Sequence, residues 1–440
     1  MKKAFSLFII ALVCVCAQGQ TRYVGGDISM LPRYEQYNSA YKDVYGNNIP
    51  DLLVWFKQTC GWNTFRVRIF VNPENTSDNA VCQDLAYVTA LGKRIKDAGA
   101  YFMLDFHYSD NWVDAGKIAA PAAWKGLNDA LMADSLGNYT HRVLQTLKAA
   151  GATPDLVQVG NEIMYGLCDR KVRPYDYAGD NWDGYLGLLR AGCNAVRAEC
   201  PNAQIIIHTD RPTNKNYDFY YYNKLIQNDV DFDVIGLSYY PFWHAGKAAT
   251  SSSTAEEILQ PLVSAINYMR TQAPLNTKRV QIVETATNFQ WYPTEGVNYD
   301  TQALWPGTVL GQYKFVKDLV DNLKPLENLD GINYWFPEEA GNGDKCNNCV
   351  LSGWLNRGFW KEDKTQSGHA INKTGSVGAL NKAEDVCAPY YMKHFYNDTE
   401  DIENVNPRAG KSCQKLLKDG QLLIVRPDGS LVTLGGIRLP

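Results

Sequence analysis

The chain has almost no excess of charge of either sign. Its 440 residues include 43 Lys and Arg against 47 Asp and Glu, which gives a net charge of −4. Such a balance offers no electrostatic reason to expect nucleic acid or an anionic membrane as a partner. Beyond residue 20 the sequence also lacks any run of the roughly 18 apolar residues that a membrane-spanning helix needs. We therefore expect a protein with no nucleic-acid partner and no membrane span.

The first apolar run is too short for a membrane span and lies at the N-terminus. Lys2 and Lys3 precede an apolar stretch over residues 5–16, and small residues follow at Ala17 and Gly19. This is the pattern of a secretory signal peptide, which we assign to residues 1–19. We expect the mature protein to be exported, whether secreted, periplasmic or held at the cell surface.

Cysteines are few and do not form a zinc-binding pattern. Removal of the signal leaves nine, and since nine is odd, at least one is expected to be free or paired with another chain. Cys346 and Cys349 form a single C-x-x-C motif without the second pair that a zinc site needs, which favours a local disulfide or two free thiols. We expect no required metal or cofactor.

Eight short apolar segments alternate with stretches of helical periodicity, such as Val88–Ala98, Tyr185–Ala198 and Val309–Leu323. This alternation predicts a (β/α)8 TIM barrel over residues 20–400. The rival fold is a doubly wound open sheet, whose nucleotide-binding form is disfavoured because no glycine-rich phosphate loop follows any segment. The predicted strands are Tyr23–Ile28, Thr64–Phe70, Tyr101–His107, Asp155–Asn161, Gln204–Thr209, Phe232–Tyr240, Arg279–Thr285 and Gly331–Phe336.

Residues 401–440 differ from the rest of the chain. A polar stretch is followed by two apolar runs, Leu422–Val425 and Leu431–Leu434, on either side of Pro427-Asp-Gly429. Two apolar runs around a turn sequence predict a β-hairpin. We therefore expect a short C-terminal hairpin tail appended to the barrel.

Polar or aromatic residues end every predicted strand, where a barrel places its active site. The fourth strand ends at Glu162, the seventh at Glu284, and the fifth runs into His208 and Asp210. Glycoside cleavage needs two carboxyl groups, one to protonate the leaving oxygen and one to attack the sugar or activate water. A separation of about 5–5.5 Å predicts retention of configuration and about 6.5–9.5 Å predicts inversion, a distance that the sequence does not give.

Several of these segments together resemble glycoside hydrolase family 53, the endo-β-1,4-galactanases that act on the arabinogalactan side chains of pectin. The similarity covers about residues 24–395, and its most specific parts are Asp105-Phe-His-Tyr-Ser-Asp110 and Gly160-Asn-Glu-Ile163. Further similar segments are Gly25–Ser29, Asn63–Arg68 with Val71–Pro73, Asp231–Trp243 and Ile282–Thr285.

The resemblance implies a retaining endo-β-1,4-galactanase with Glu162 as acid/base and Glu284 as nucleophile. It also implies that an arginine touches Glu284, for which we prefer Arg68 over Arg66, since Arg68 lies nearer the strand's C-terminal end. The other implied substrate-binding residues are Asn161 at the cleavage point, the cleft residues Asp27, Asp105, His107, His208, Tyr239 and Trp335, and the stacking residues Trp112 and Trp243; Asp210 joins them from its place at a strand end.

The sequence departs from the family pattern outside the two glutamates. Trp112-Val-Asp-Ala115, Gly166-Leu-Cys-Asp169 and Tyr334-Trp-Phe-Pro337 replace the usual Trp-Ala-Asp-Pro, Gly-Leu-Leu-Trp and Tyr-Trp-Glu-Pro. These changes affect the outer subsites and leave two alternatives open: the same mechanism on mannan or xylan, or a glycan-binding protein without catalysis. Galactan or arabinogalactan is the expected partner and a monomer the expected state, and a structural calcium ion, as in some bacterial relatives, is possible.

Overall fold

The computed structural model describes residues 21–36, 41–43, 45–73, 80–289, 297–339, 357–362, 371–372, 388–395, 414–418, 421–425 and 431–433. The predicted signal peptide and the Cys346/Cys349 motif lie outside these residues. Within them, Cys82, Cys168, Cys193 and Cys200 are buried free thiols.

Eight parallel strands close into a barrel in the order β1-β8-β7-β6-β5-β4-β3-β2. This closure confirms the predicted (β/α)8 barrel and rules out the open sheet, which would have two unpaired edges. The strand bounds agree with the predicted segments to within a few residues. They are β1 Tyr23–Asp27, β2 Thr64–Ile69, β3 Tyr101–Phe106, β4 Leu156–Val159, β5 Gln204–Thr209, β6 Val234–Tyr239, β7 Arg279–Thr285 and β8 Leu329–Trp335.

Helices fill the intervals between the strands, and their apolar stripes cover the outside of the barrel. At the helix N-termini, side chains such as those of Asp84, Asn128 and Asn181 accept hydrogen bonds from backbone N–H groups of the first turn. All three helices named from the sequence are present. The α-helices are Leu31–Gln36, Leu52–Gln58, Leu85–Asp97, Asp129–Ala149, Trp182–Glu199, Lys215–Gln227, Pro241–His244, Ala255–Thr271, Val309–Leu323 and Ala388–Tyr391.

The inside of the barrel changes from apolar to charged along its axis. Six strands each contribute one apolar side chain to a small buried cluster that is separate from the main core. Toward the C-terminal ends of the strands the inward positions become polar: Arg66, beside Met103 of that cluster, is followed two residues later by Arg68. Because neighbouring strands in register point the same way, this change places the charged side chains together at one mouth.

Strand β7 contains an irregularity next to the mouth. Leu237 of β6 pairs with Ile282, but the next residue, Ser238, pairs with Glu284, so Val283 is an extra residue. Val283 joins the inner apolar cluster while the adjacent Glu284 faces the mouth. Such a bulge re-aims a side chain that strict alternation would point outward.

The C-terminal segment, Asn397–Pro440, is a separate compact unit. Three antiparallel strands, Gln414–Lys418, Gln421–Val425 and Leu431–Thr433, form its sheet. The last two pair as the predicted hairpin. The strand Gln414–Lys418 is an addition that the sequence reading did not include. Among the helices of the described residues, none combines the length and apolarity needed to cross a membrane.

Candidate active site

A cavity of about 410 Å³ opens at the C-terminal mouth of the barrel, between loops that follow several strands. Its size suits a small part of a glycan chain. Both predicted catalytic glutamates face it. The predicted site residues in its wall are Arg66, Arg68, His107, Trp112, Asn161, Glu162, Asp210, Trp243, Glu284 and Trp335.

Glu284 is held by two donors on its two oxygens. The guanidinium of Arg66 lies 2.8 Å from Oε1, and the Tyr240 hydroxyl donates to Oε2 at 2.9 Å. Both donors are buried. A carboxyl with a fixed cation on one side and a phenol on the other is stabilised in its ionised form and has little freedom to rotate.

The arginine that contacts Glu284 is therefore Arg66, and the preference for Arg68 was wrong. An arginine side chain is long, so its guanidinium lies well beyond its own Cα along the barrel axis. The Cα of Arg66 lies one inward position deeper in the barrel than that of Arg68. The guanidinium of Arg66 therefore lies level with Glu284. The Arg68 guanidinium instead donates to the Ala80 carbonyl at 3.0 Å and stacks over Trp112 at 4.6 Å.

Arg66 is also the centre of a buried polar network. Its remaining donors reach Asp27 and Asp105 at 2.8 Å each, the Asn161 carbonyl oxygen at 2.8 Å and the Gln158 side chain at 3.3 Å. Since the Asn161 oxygen is used by Arg66, its amide nitrogen donates outward, to the Val113 carbonyl at 2.8 Å. The network fixes both Glu284 and the residue immediately before Glu162.

Glu162 lies at the end of β4 in a left-handed backbone conformation, with φ 48° and ψ 46°. That conformation is rare for a residue other than glycine and is maintained only where the surroundings over-determine it. Here the surroundings are hydrogen bonds at both ends of the residue: the backbone N–H donates to His208 Nδ1 at 3.3 Å, and Oε1 accepts from the Ser238 hydroxyl at 2.6 Å.

These bonds close into a ring through His208. Its Nε2 lies 2.8 Å from Ser238 Oγ. The Ser238 proton is directed to Glu162, so the Oγ accepts from Nε2–H, and Nδ1 is then the acceptor that the Glu162 N–H needs. Burial, followed by the charge of Arg66, lowers the pKa of His208 well below its usual range, which keeps the ring neutral. We call Glu162, His208 and Ser238 the acid/base ring.

The two glutamates differ in their tendency to ionise. Burial, with the charges of Glu284 and Asp210, raises the pKa of Glu162 well above its ordinary value. Burial also raises the pKa of Glu284, but Arg66 and the Tyr240 hydroxyl oppose it, leaving the pKa at about 7. Since Arg66 pairs with Glu284 and the neighbouring carboxylates raise the pKa of Glu162, Glu284 is the carboxyl whose ionised form is better stabilised, as a nucleophile facing a general acid requires.

Four predicted substrate contacts lie outside the cavity wall. Asp27, Asp105 and His208 are completely buried behind it, where they hold Arg66 and Glu162. Tyr239 is buried on the other side of β6, its ring 6.1 Å from that of His244. Ser238 faces inward, so alternation turns Tyr239 outward, and the tyrosine that reaches the cavity side is the next residue, Tyr240.

The three predicted tryptophans line the cavity. Trp112 and Trp243 are partly buried, and Trp335 is 8% exposed. Trp112 packs against Phe70 and His107, while Trp243 packs against Tyr240. Flat apolar rings at the wall of a polar cavity are suited to the apolar faces of sugar rings.

Sequence reasoning missed Ser238 and Gln158, and it chose the wrong member of the Tyr239–Tyr240 pair. Gln158 alternates with the buried apolar residues of β4, a pattern that marks an inward polar residue. Ser238 likewise alternates with the buried Leu237 and Tyr239 of β6, on the same face as Gly236. Within the described residues no group of three or more His, Cys, Asp or Glu side chains could hold a metal, and a structural calcium ion elsewhere stays a prediction.

Comparison with known proteins agrees with this geometry. The profile described as Glycosyl hydrolase family 53 matches residues 23–373. The chain belongs to this family. It is therefore a glycoside hydrolase, and the expected family resemblance is confirmed.

Named family members align over most of the chain. An arabinogalactan endo-beta-1,4-galactanase A from Emericella nidulans is 31% identical over 361 residues, 80% of this chain and 95% of the relative. An arabinogalactan endo-beta-1,4-galactanase from Cellvibrio japonicus is 31% identical over 369 residues, 79% and 88% of the two chains. A solved fungal beta-1,4-galactanase structure has 27% identity and a TM-score of 0.63, with 80% of this chain and 98% of that chain covered.

Proposed function

We propose that this family 53 hydrolase is an exported, retaining endo-β-1,4-galactanase that cleaves internal bonds of galactan or arabinogalactan. The observation that carries the proposal is the pair of glutamates on one cavity, of which, among the residues that the structure describes, only Glu284 forms an ion pair with an arginine. The galactan specificity is supported by the names of the relatives that align over most of the chain.

In the first step the Glu284 carboxylate attacks the anomeric carbon as Glu162 donates its proton to the glycosidic oxygen. The carbon–oxygen bond breaks, and the leaving sugar departs with a hydroxyl group. In the second step the Glu162 carboxylate takes a proton from water, the water oxygen bonds to the anomeric carbon, and Glu284 is released as a carboxylate. Each glutamate ends as it began.

Four neighbouring residues assist the two glutamates in these steps. Arg66 and Tyr240 hold the Glu284 oxygens in a fixed orientation for attack. The Ser238 hydroxyl stabilises the carboxylate that forms on Glu162 as its proton leaves. Asn161 lines the cavity beside Glu162, where its amide suits the sugar hydroxyl next to the bond that breaks. Glu162 provides both proton transfers and Glu284 provides the covalent bond, so we propose no cofactor.

A product profile tests the substrate. Residues 20–440 are incubated with pectic β-1,4-galactan, and with mannan, xylan and cellulose in parallel. We expect short galacto-oligosaccharides from galactan alone. Release from another polymer would keep the mechanism and overturn the galactan assignment. No release from any polymer by a folded sample would favour the binding-protein alternative.

The mechanism is tested by Glu284→Gln and by the configuration of the first product. The variant should lose turnover by roughly three orders of magnitude or more while polymer binding persists, because only the nucleophile is removed. Proton NMR of the wild-type reaction should show the β-anomer before mutarotation. Near-full activity of the variant, or an initial α-anomer, would refute the double displacement.

A further inference from the structure

A loop that follows β4, residues 172–181, carries two exposed tyrosines. Tyr175 is 38% exposed and Tyr177 is 49% exposed. Single exposed aromatic residues are common and need no explanation. These two stand two residues apart and belong to a larger group with Tyr217 and Tyr220 on the helix Lys215–Gln227. We call these four residues the tyrosine platform.

Within the tyrosine platform, Tyr175 contacts two other rings, and Tyr177 packs against a charged neighbour. Tyr175 packs edge-on with Tyr217 at 4.9 Å between ring centres and lies 5.1 Å from Tyr220. The Arg173 guanidinium lies over Tyr177 at 4.3 Å. One face of Tyr177 is thus covered, and the exposed half of its side chain is turned to solvent.

The loop is fixed in place rather than loosely attached. Backbone hydrogen bonds close its base, from Val172 N–H to the Tyr165 carbonyl at 3.1 Å and from Asn181 N–H to the Lys171 carbonyl at 2.8 Å. At its tip, Asp176 accepts from the Tyr220 hydroxyl at 2.8 Å and pairs with Lys224. Rings held in this way lose little conformational freedom when a ligand stacks on them.

Hydrogen bonds connect the base of this loop to a residue of the cavity wall. Arg211 lines the cavity, and it donates to the Tyr165 hydroxyl at 3.2 Å. Tyr165 in turn accepts the Val172 bond at the base of the loop. Along the other connection, Tyr217 follows Arg211 by six residues, at most about 20 Å of chain. The loop and the helix that carry the tyrosine platform therefore both lie on the Arg211 side of the cavity.

We propose that the tyrosine platform is a distal binding surface for the same polysaccharide, engaging sugar units beyond those in the cavity. Its exposed rings would stack on the apolar faces of neutral sugars, and the exposed Asp176 carboxylate would accept hydrogen bonds from their hydroxyls. The identity of the polymer rests on the proposed function, whereas the existence of the surface does not.

The test compares Tyr175→Ala/Tyr177→Ala with the matched control Tyr45→Ala, which removes another exposed tyrosine, 57% exposed, from outside the loop. Affinity electrophoresis in soluble galactan, with all proteins carrying Glu284→Gln, measures polymer binding without turnover. We expect the double variant to bind about 5-fold more weakly, the effect of one or two stacked rings, and the control to be unchanged. Tyr175→Phe/Tyr177→Phe, which keeps the rings, should bind like the parent.

Kinetics in the active background provide the second readout. The double variant should lose kcat/KM on the polymer but keep wild-type kcat/KM on galactotriose, which is too short to extend beyond the cavity. Equal polymer affinity of the double variant and Tyr45→Ala would overturn the platform. If the wild type prefers another polymer, the proposed substrate fails and the same comparison with that polymer still decides the platform.

Discussion

Ser238→Ala is the substitution that tests the acid/base ring most directly. It removes one hydroxyl, which donates to Glu162 Oε1 at 2.6 Å and lies 2.8 Å from His208 Nε2. The hydroxyl bond favours the ionised form of Glu162, so its loss raises the pKa of that carboxyl further. The basic limb of the kcat/KM profile reports the loss of the Glu162 proton, so this limb should move to higher pH.

The magnitude follows from the charge that develops on Glu162. A hydrogen bond to a charged group contributes about 1.5–3 kcal/mol, and this bond gains its full strength only when the proton leaves. The transition state should therefore lose about 1.5–3 kcal/mol of stabilisation, a fall in kcat of roughly 10- to 150-fold. Part of the loss is compensated by water, so we expect the basic limb to shift by about one pH unit, which corresponds to about 1.4 kcal/mol. KM should change little.

The assay is a pH series of kcat/KM on soluble galactan, with thermal melting as a fold check. Ser238→Thr keeps a hydroxyl and should recover most of the activity. Thr140→Ala is the matched control, because it removes a buried hydroxyl bonded to Tyr108 at 2.8 Å outside the cavity; it should lower Tm without moving the profile. A Ser238→Ala enzyme that melts earlier but keeps the wild-type kcat and profile would show that Ser238 is only structural.

Two further predictions concern Glu284 and the network behind it. Tyr240→Phe removes a hydrogen-bond donor that opposes the rise of the Glu284 pKa, which is about 7 in the wild type. The acid limb of the kcat/KM profile should therefore move to higher pH by up to about one unit. An acid limb that does not move would contradict the assignment of Glu284 as the ionised nucleophile. Arg66→Lys leaves Asp27 and Asp105 buried without their planar partner; we expect a loss of about 3–5 kcal/mol in unfolding free energy and near-complete loss of activity. Denaturant unfolding measures the first, with Arg279→Lys, on a partly exposed pair with Asp330, as the control.

The barrel was predictable because each of its strands is apolar, short and separated from the next by a helical interval. The same signals gave the right bounds for the helix Val309–Leu323. They failed for the tail strand Gln414–Lys418, where two leucines are flanked by polar residues. Such a strand is specified by its pairing with Gln421–Val425 rather than by its own composition.

The site was predictable at the level of which strands carry its charges, but not at the level of which atoms meet. Strand alternation places Arg66 and Arg68 on one face of β2, opposite Phe65 and Val67. It could not say which of them reaches Glu284, because that depends on side-chain length and on how far each strand is shifted along the barrel. The Tyr239–Tyr240 error has the same origin, since a shift of one residue exchanges the inward and outward faces.

No local pattern in the sequence predicts the bulge at Val283 or the left-handed backbone of Glu162. The bulge places Glu284 level with Ser238, its partner on β6. The left-handed turn directs the Glu162 N–H to His208 while its carboxyl returns to that same Ser238. Both irregularities thus bring a glutamate to one position on β6, where the two carboxyls share a cavity but have different donors. Their cost in backbone strain is compensated by burial and hydrogen bonding, and the result is the difference in ionisation that acid/base chemistry needs.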